Sequence, residues 1–203
     1  MKLVGFQEQI FFATVRITIP SRTGPDVSVG TGFLYNAQVS ETHSVILLIS
    51  NRHVYGDPSN PIQMAFHKQG ANGQPLLGEI IAFKDSQFER GFTAHPDDSV
   101  DLACLNVSVI GNGPPIFYKS VSADIIADFD EDTLLPGNEV WFVGYPENRF
   151  DTRHNLPILR RGYIASIPTI DFEGLKQFVI DAHVFRGSSG SPPSSRSSAI
   201  GTN

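Results

Sequence analysis

The sequence predicts an all-β protein built from two β units. Short runs of β-branched and aromatic residues recur along the 203 residues, separated by clusters of Pro, Gly, Asn and Asp. Only Ser122–Phe129 has the composition of a short helix. Many short strands with turn residues between them are typical of a sandwich or a barrel. The stretch Gly111–Pro115, near mid-chain, is the best linker candidate.

The first unit contains six predicted strands. The earliest, ATVRITI, alternates apolar and polar side chains as a half-buried strand does, whereas Val45–Ile49 is continuously apolar, as in a fully buried strand. Pro, Gly, Asn and Asp separate the others. The six predicted strands cover residues 13–19, 28–36, 43–50, 62–68, 79–83 and 101–107.

The second unit contains three predicted strands, at 139–146, 158–167 and 177–185. We expect the first unit to span residues 1–112 and the second to span 113–203. Residues 193–203 are rich in Ser and Pro, a bias that predicts a flexible tail.

Composition excludes several classes of partner. A net charge of -6 offers no basic face for nucleic acid. Cys104 is the only cysteine, so no intrachain disulfide can form. The polar run Gln7-Glu8-Gln9 interrupts what would be a signal peptide's apolar core, and no apolar run is long enough to span a bilayer. We therefore expect a cytoplasmic protein with neither nucleic acid nor membrane as partner.

Ser189 is a candidate nucleophile. A serine hydroxyl needs an adjacent base, and the oxyanion that forms needs hydrogen-bond donors. In Gly187-Ser188-Ser189-Gly190 the glycines permit backbone dihedrals that aim two N–H groups at one point. The N–H groups of Gly187 and Ser189 could therefore form an oxyanion hole. A Gly/Ser-rich turn without catalytic role is the alternative interpretation.

His53 is the candidate base. It follows the apolar strand 43–50 closely, at a position where its side chain can meet a cleft. The unperturbed pKa of histidine lies near neutrality, which suits a general base. A hydrogen-bonded structural histidine is the alternative. The other histidines lack a comparable position: His43, His67, His95, His154 and His183.

Asp101 is the candidate orienting acid because it immediately precedes an apolar strand. A carboxylate there can accept from the second ring nitrogen of a histidine and stabilise the imidazolium. A turn or strand-capping role is the alternative. The chain order His, Asp, Ser separates this arrangement from the two other common serine-hydrolase orders.

Five motifs in this order resemble those of the chymotrypsin/trypsin-fold serine peptidases, of the bacterial trypsin-like type. They are GTGFLY (30–35), ISNRHV (49–54), HPDDSVDLACL (95–105), the pair VWFVGYP and LRRGYIASI (140–146 and 159–167), and GSSGSP (187–192).

The resemblance implies two six-stranded antiparallel β-barrels with the active site in the cleft between them. It implies a serine endopeptidase that cleaves peptide or protein substrates through an acyl-enzyme. His53 would be the base, Asp101 would orient it, and Ser189 would attack, with the Gly187 and Ser189 N–H groups as oxyanion hole. No metal or organic cofactor is implied.

His183 lies six residues before Ser189. In the resembled family this position is the base of the substrate pocket. An imidazole there could favour an acidic substrate side chain, or it could simply line the pocket wall.

After Pro192 the sequence departs from the resembled pattern. In the family further strands complete the second barrel, whereas PPSSRSSAIGTN follows here. We therefore expect an incomplete second barrel, arising from a truncated or frameshifted reading, from completion by a partner strand, or from degeneration. Two other functions remain open: a non-catalytic interaction module on the same fold, and an esterase with the same three residues.

Overall fold

Strands between residues 14 and 117 form a large antiparallel sheet. The computed structural model describes residues 3, 5–20, 27–127, 134–183 and 186–195, without the side chains of 193–195. The strands of this first sheet are β1 (Thr14–Pro20), β2 (Val27–Ser40), β3 (His43–Ser50), β4 (Ile62–Gln69), β5 (Pro75–Asp85), β6 (Phe92–Ala94), β7 (Ala103–Asn106) and β8 (Ile116–Phe117). Their order is β5-β4-β1-β2-β3-β7-β6, and β8 pairs with β4.

Alternating apolar side chains explain the core of this sheet. Ile17 of β1, Leu34 of β2 and Leu48 of β3 are fully buried. Leu34 lies directly opposite Leu48 in the β2–β3 register. Gly32 lets this packing close, because a Cβ at that position would come within 2.8 Å of Ile17 and Leu48 side-chain carbons.

The second sheet is smaller and comes from the second half of the chain. Within the described residues it contains β9 (Glu139–Gly144), β10 (Ile158–Ile164), β11 (Ile180–Asp181) and β12 (Pro193–Ser195), in the order β11-β10-β9-β12. Strand β12 lies in the segment predicted to be a flexible tail. Among the described strands it pairs with β9 alone and lies at the edge of the sheet, where the missing N–H of Pro193 is tolerated.

The helices that the structure describes are few and short. They are α1 (Phe6–Ala13) and α2 (Arg52–Tyr55), with 3-10 turns at Glu89–Gly91, Ser108–Asn112, Ala123–Ile125 and Pro146–Asn148. Helix α1 was not predicted; it buries Ile10 and Ala13 against Val143 of β9. The predicted helix at 122–129 is a 3-10 turn at its start, and its last two residues lie outside the described residues.

The predicted all-β class is confirmed, because the strands form two antiparallel sheets. The boundary between units at residues 112 and 113 stays a prediction; β8, which follows it, pairs with β4 of the first sheet. No helix among the described residues combines the length and apolarity needed to cross a bilayer.

Candidate active site

His53 and Asp101 lie side by side at one end of the first sheet. Strand β3 ends at Ser50, and His53 follows on α2. Asp101 lies two residues before β7, and Ser50 pairs with Ala103 in the β3–β7 register. This pairing brings the two side chains together: His53 Nδ1 is 2.5 Å from Asp101 Oδ2.

Backbone hydrogen bonds hold the two segments in this position. The His53 N–H donates to Asp101 Oδ1 at 3.0 Å, and the Arg52 N–H donates to the Asp101 carbonyl oxygen at 3.3 Å. The Asn51 side-chain amide donates to the same carbonyl at 2.9 Å. Both carboxylate oxygens of Asp101 are therefore used on His53.

The electrostatics of the pair favour an ionised Asp101. Partial burial alone would raise the pKa of this carboxyl, but the hydrogen bonds from the His53 ring and the His53 N–H outweigh it, so the pKa lies below its usual value. An ionised carboxylate only accepts hydrogen bonds, so it selects the His53 tautomer protonated on Nδ1. The other ring nitrogen, Nε2, is then free to accept a proton.

Ser189 lies in a loop, residues 186–191, that we name the serine loop. Two glycines with positive φ flank the serine: Gly187 at +83° and Gly190 at +82°. The loop contacts β2, where the Thr31 N–H donates to the Ser189 carbonyl oxygen at 3.0 Å. A Cβ at Gly190 would overlap the Thr31 carbonyl oxygen and Ser50 Oγ, so glycine is required for this close approach.

Thr31 is a residue of the site that the sequence analysis did not single out. Its fully buried hydroxyl donates to the Gly187 carbonyl at 2.8 Å and accepts from the Tyr145 N–H at 3.1 Å. Its carbonyl accepts from Ser50 Oγ at 2.6 Å. The only sequence signal was its place between Gly30 and Gly32 in GTGFLY.

These contacts bring Ser189 and His53 to the same end of the first sheet without a hydrogen bond between them. In the part of the chain that the structure describes, no bond joins Ser189 Oγ to the His53 ring, whose side chain is 59% exposed. Catalytic hydrogen bonds are often long in ligand-free sites and tighten when substrate binds. Two predicted residues are thus in contact, and the third lies on the loop beside them.

The two N–H groups expected to form the oxyanion hole are available. Within the described residues neither the Gly187 nor the Ser189 N–H donates to an acceptor, although the carbonyls of both residues are bound by Thr31. A cleft of 570 Å³ opens beside Gly187, between residues 16–18 of β1 and 27–29 of β2 on one side and residues 147–148 on the other. Clefts of this size accommodate small ligands or peptide side chains.

His183 contributes its backbone to the site. Its carbonyl accepts from Arg160 Nη1 at 3.1 Å, and the residue itself is exposed. Among the residues that the structure describes, no three His, Cys, Asp or Glu side chains converge in a way that could hold a metal ion.

Comparison with solved structures shows the fold. The serine endoprotease of Yersinia pestis is 17% identical with a TM-score of 0.50, and the match covers 96% of this chain and 55% of that one. A protease of M. tuberculosis in its active form is 21% identical (TM-score 0.50; 95% and 69% covered). An inactivated protease paralogue of the scabies mite is 16% identical (TM-score 0.54; 91% and 80% covered). The chain thus spans just over half of the Yersinia protein's length.

Comparison of sequences shows the family. No curated protein matches the chain. A sequence profile described as the trypsin-like peptidase domain matches residues 30–197, which is most of the chain. The predicted trypsin-like fold is therefore confirmed, and the chain belongs to the trypsin-like peptidase family.

Proposed function

We propose that this protein is a serine endopeptidase in which His53, Asp101 and Ser189 cleave peptide bonds through an acyl-enzyme. The observation that carries the proposal is the bond of 2.5 Å between His53 Nδ1 and Asp101 Oδ2, next to a serine loop fixed on Thr31. Membership of the trypsin-like peptidase family supports peptides or proteins as substrates.

The first step is attack by Ser189 on the scissile carbonyl. His53 Nε2 takes the hydroxyl proton as the Oγ–C bond forms, because Nδ1 already carries the proton that it donates to Asp101. The ionised carboxylate then stabilises the imidazolium. The imidazolium gives its proton to the leaving amine, and the C–N bond breaks.

The carbonyl oxygen becomes negative during this attack and needs donors. The Gly187 and Ser189 N–H groups fill this role. Each shares its peptide plane with the preceding carbonyl, and both carbonyls are held: that of Arg186 accepts from the Glu147 N–H, and that of Ser188 accepts from the Ser191 N–H. One such donor contributes roughly 3 kcal/mol to transition-state stabilisation. Water, activated by the same His53, then hydrolyses the acyl-enzyme and restores the serine.

The cleft beside Gly187 supplies room for the leaving-group side of a peptide. Arg16 and Asn148 lie on its wall and are joined by a hydrogen bond of 2.8 Å. Because the cleft borders the proposed oxyanion hole, a chain bound there would run past Ser189.

The test is turnover of a quenched fluorescent peptide library by the wild type, Ser189→Ala, His53→Ala and the double variant. Residues that act as one unit give non-additive losses, so we expect each single variant to lose nearly all activity and the double variant little more. A Ser189→Ala variant that keeps activity would reject the assignment.

Ser191→Ala is the matched control. Ser191 lies two residues from Ser189 in the same loop, and its buried Oγ has no hydrogen-bond partner in the described part of the chain. We expect this variant to keep turnover. Comparing ester with amide substrates separates a peptidase from an esterase on the same three residues.

A further inference from the structure

Arg160 points toward the interior of the second β unit. Side chains alternate along β10, and Gly162 and Ile164, which share the face of Arg160, are buried. Arg161 lies on the opposite face, where it pairs with Glu139 at 3.5 Å and its side chain is 71% exposed. Two adjacent arginines therefore have opposite environments.

The Arg160 guanidinium lies directly beneath the serine loop. Nη2 donates to Ser188 Oγ at 2.8 Å, and Nη1 donates to the His183 carbonyl at 3.1 Å. The cation lies 4.7 Å from the centre of the Phe142 ring, which supports its flat face. Since Ser188 is bonded to Ser189 in the chain, the charge is close to the proposed nucleophile.

This cation has no counter-ion in the described residues. Its contacts there are a hydroxyl, a carbonyl and an aromatic ring, and its buried Nε has no hydrogen-bond partner. Withdrawing a charge from water is costly unless it is paired. An arginine that is partly buried, unpaired in the described residues and next to the serine loop is therefore a candidate anion-binding residue.

We propose that Arg160 is a specificity-determining residue that binds an acidic substrate side chain, aspartate or glutamate, on the acyl side of the cleaved bond. This rests on the proposed function, because Ser189 and its oxyanion hole fix the scissile carbonyl. We assign the side chain of the residue that supplies that carbonyl to Arg160, because the guanidinium contacts Ser188, the neighbour of the attacking serine.

A carboxylate is the chemistry that fits best. A guanidinium has five N–H donors in a planar fork that matches two carboxylate oxygens. Two of these donors are used by Ser188 and His183, so N–H groups on both Nη atoms remain. The contacts to Ser188 and His183 hold the fork in place before substrate arrives.

The test is binding to the Ser189→Ala protein, in which no peptide can be consumed. Isothermal titration at pH 7.5 compares acetyl-Ala-Ala-Ala-Glu-amide with its Gln counterpart, which has the same shape without the charge. We expect the glutamate peptide to bind about tenfold tighter or more, the size of a charge-assisted bond. Adding Arg160→Gln brings the two affinities within about twofold.

Arg161→Gln is the matched control, expected to keep the preference because Arg161 faces away. If Arg160→Gln does not fold, Arg160→Lys replaces it. Lysine keeps the positive charge but not the planar guanidinium, so we expect a ratio of glutamate-peptide to glutamine-peptide affinity between those of the parent protein and an uncharged variant. Equal affinities in the parent protein, no binding of either peptide, or a preference that survives in folded Arg160→Gln overturns the proposal. Absence of covalent labelling at Ser189 in the wild type would instead reject the peptidase function, so the two failures are distinguishable.

Discussion

Thr31 joins the first sheet to Ser189: its N–H donates to the Ser189 carbonyl oxygen at 3.0 Å. The same residue binds Gly187 through its hydroxyl and accepts from Ser50 through its carbonyl. Ser50 lies three positions before His53. One buried residue therefore couples the loop of the proposed nucleophile to the end of β3, three residues before the proposed base.

Replacing Thr31 by valine tests this coupling. Valine keeps the shape but leaves the Gly187 carbonyl and the Tyr145 N–H without the hydroxyl partner. We expect the free energy of unfolding, measured in urea, to fall by about 1–3 kcal/mol. We also expect covalent labelling of Ser189 by a fluorophosphonate probe to slow by at least tenfold. Thr31→Ser, which keeps the hydroxyl, should label at close to the wild-type rate. Equal rates in the valine and serine variants would contradict the coupling.

Gly190→Ala should abolish labelling at Ser189. Its positive φ disfavours a side chain, and the new Cβ would overlap Thr31 and Ser50. Gly174→Ala is the control, since Gly174 has φ +77° and no atom within 4 Å of the added Cβ. The control carries only the backbone strain, about 1–3 kcal/mol, and should label normally. Similar labelling in both variants would show that the loop does not need its contact with β2.

Asp101→Asn should lower turnover by roughly 10³–10⁴-fold with the fold intact. An amide can offer its N–H₂ to Nδ1 and so stabilise the tautomer protonated on Nε2, which cannot accept the serine proton. Steady-state kinetics measures the loss of turnover, and a thermal melt shows whether the fold is intact. Asp98→Asn is the control, because Asp98 pairs with Arg52 at the surface; a comparable loss there would point to general charge effects.

Stability should fall on acidification because of His67. This buried ring donates from Nε2 to the His154 carbonyl at 2.7 Å and packs 5.0 Å from the Phe12 ring. Burial lowers its pKa, against the opposing effect of the His154 carbonyl. Below about pH 6.5, the ordinary pKa of histidine, the unfolded chain therefore binds more protons than the folded one. Each pH unit below that value lowers the free energy of unfolding by up to about 1.4 kcal/mol, until the pKa of His67 in the folded protein is reached.

Urea unfolding at pH 8 and pH 5 measures this effect in the wild type and in His67→Gln, which can still donate to His154. The difference in the free energy of unfolding between pH 8 and pH 5 should be smaller in the variant than in the wild type. His43→Gln is the control, because His43 is exposed at the start of β3. If stability fell equally between pH 8 and pH 5 in the wild type and in His67→Gln, His67 would not be the cause of the loss.

Sequence patterns were sufficient for most strands because the apolar alternation is local. The strand predicted at 13–19 is β1 at Thr14–Pro20, and the one predicted at 43–50 matches β3. Helix α1 was missed because its apolar residues run into β1 without a break and its N-cap residue, Gly5, has no side chain to signal the start. Of the strand predicted at 177–185, whose last two residues lie outside the described part of the chain, β11 covers only Ile180–Asp181.

The site was predictable only in part. Residue types and their order indicated His53, Asp101 and Ser189, whereas Thr31 and Arg160 depend on contacts between residues far apart in the chain. The bond from Thr31 to Gly187 joins residues 156 positions apart, and that from Arg160 to Ser188 spans 28. Such contacts leave no periodic signal in one sequence.

The most direct measurement is intact-mass spectrometry of the folded protein after reaction with a fluorophosphonate probe, beside Ser189→Ala and Ser191→Ala. The account predicts one adduct on the wild type and on Ser191→Ala, and none on Ser189→Ala, because only an activated serine with its oxyanion hole reacts. A folded wild type without an adduct, or an adduct that persists in Ser189→Ala, would contradict the proposed peptidase site.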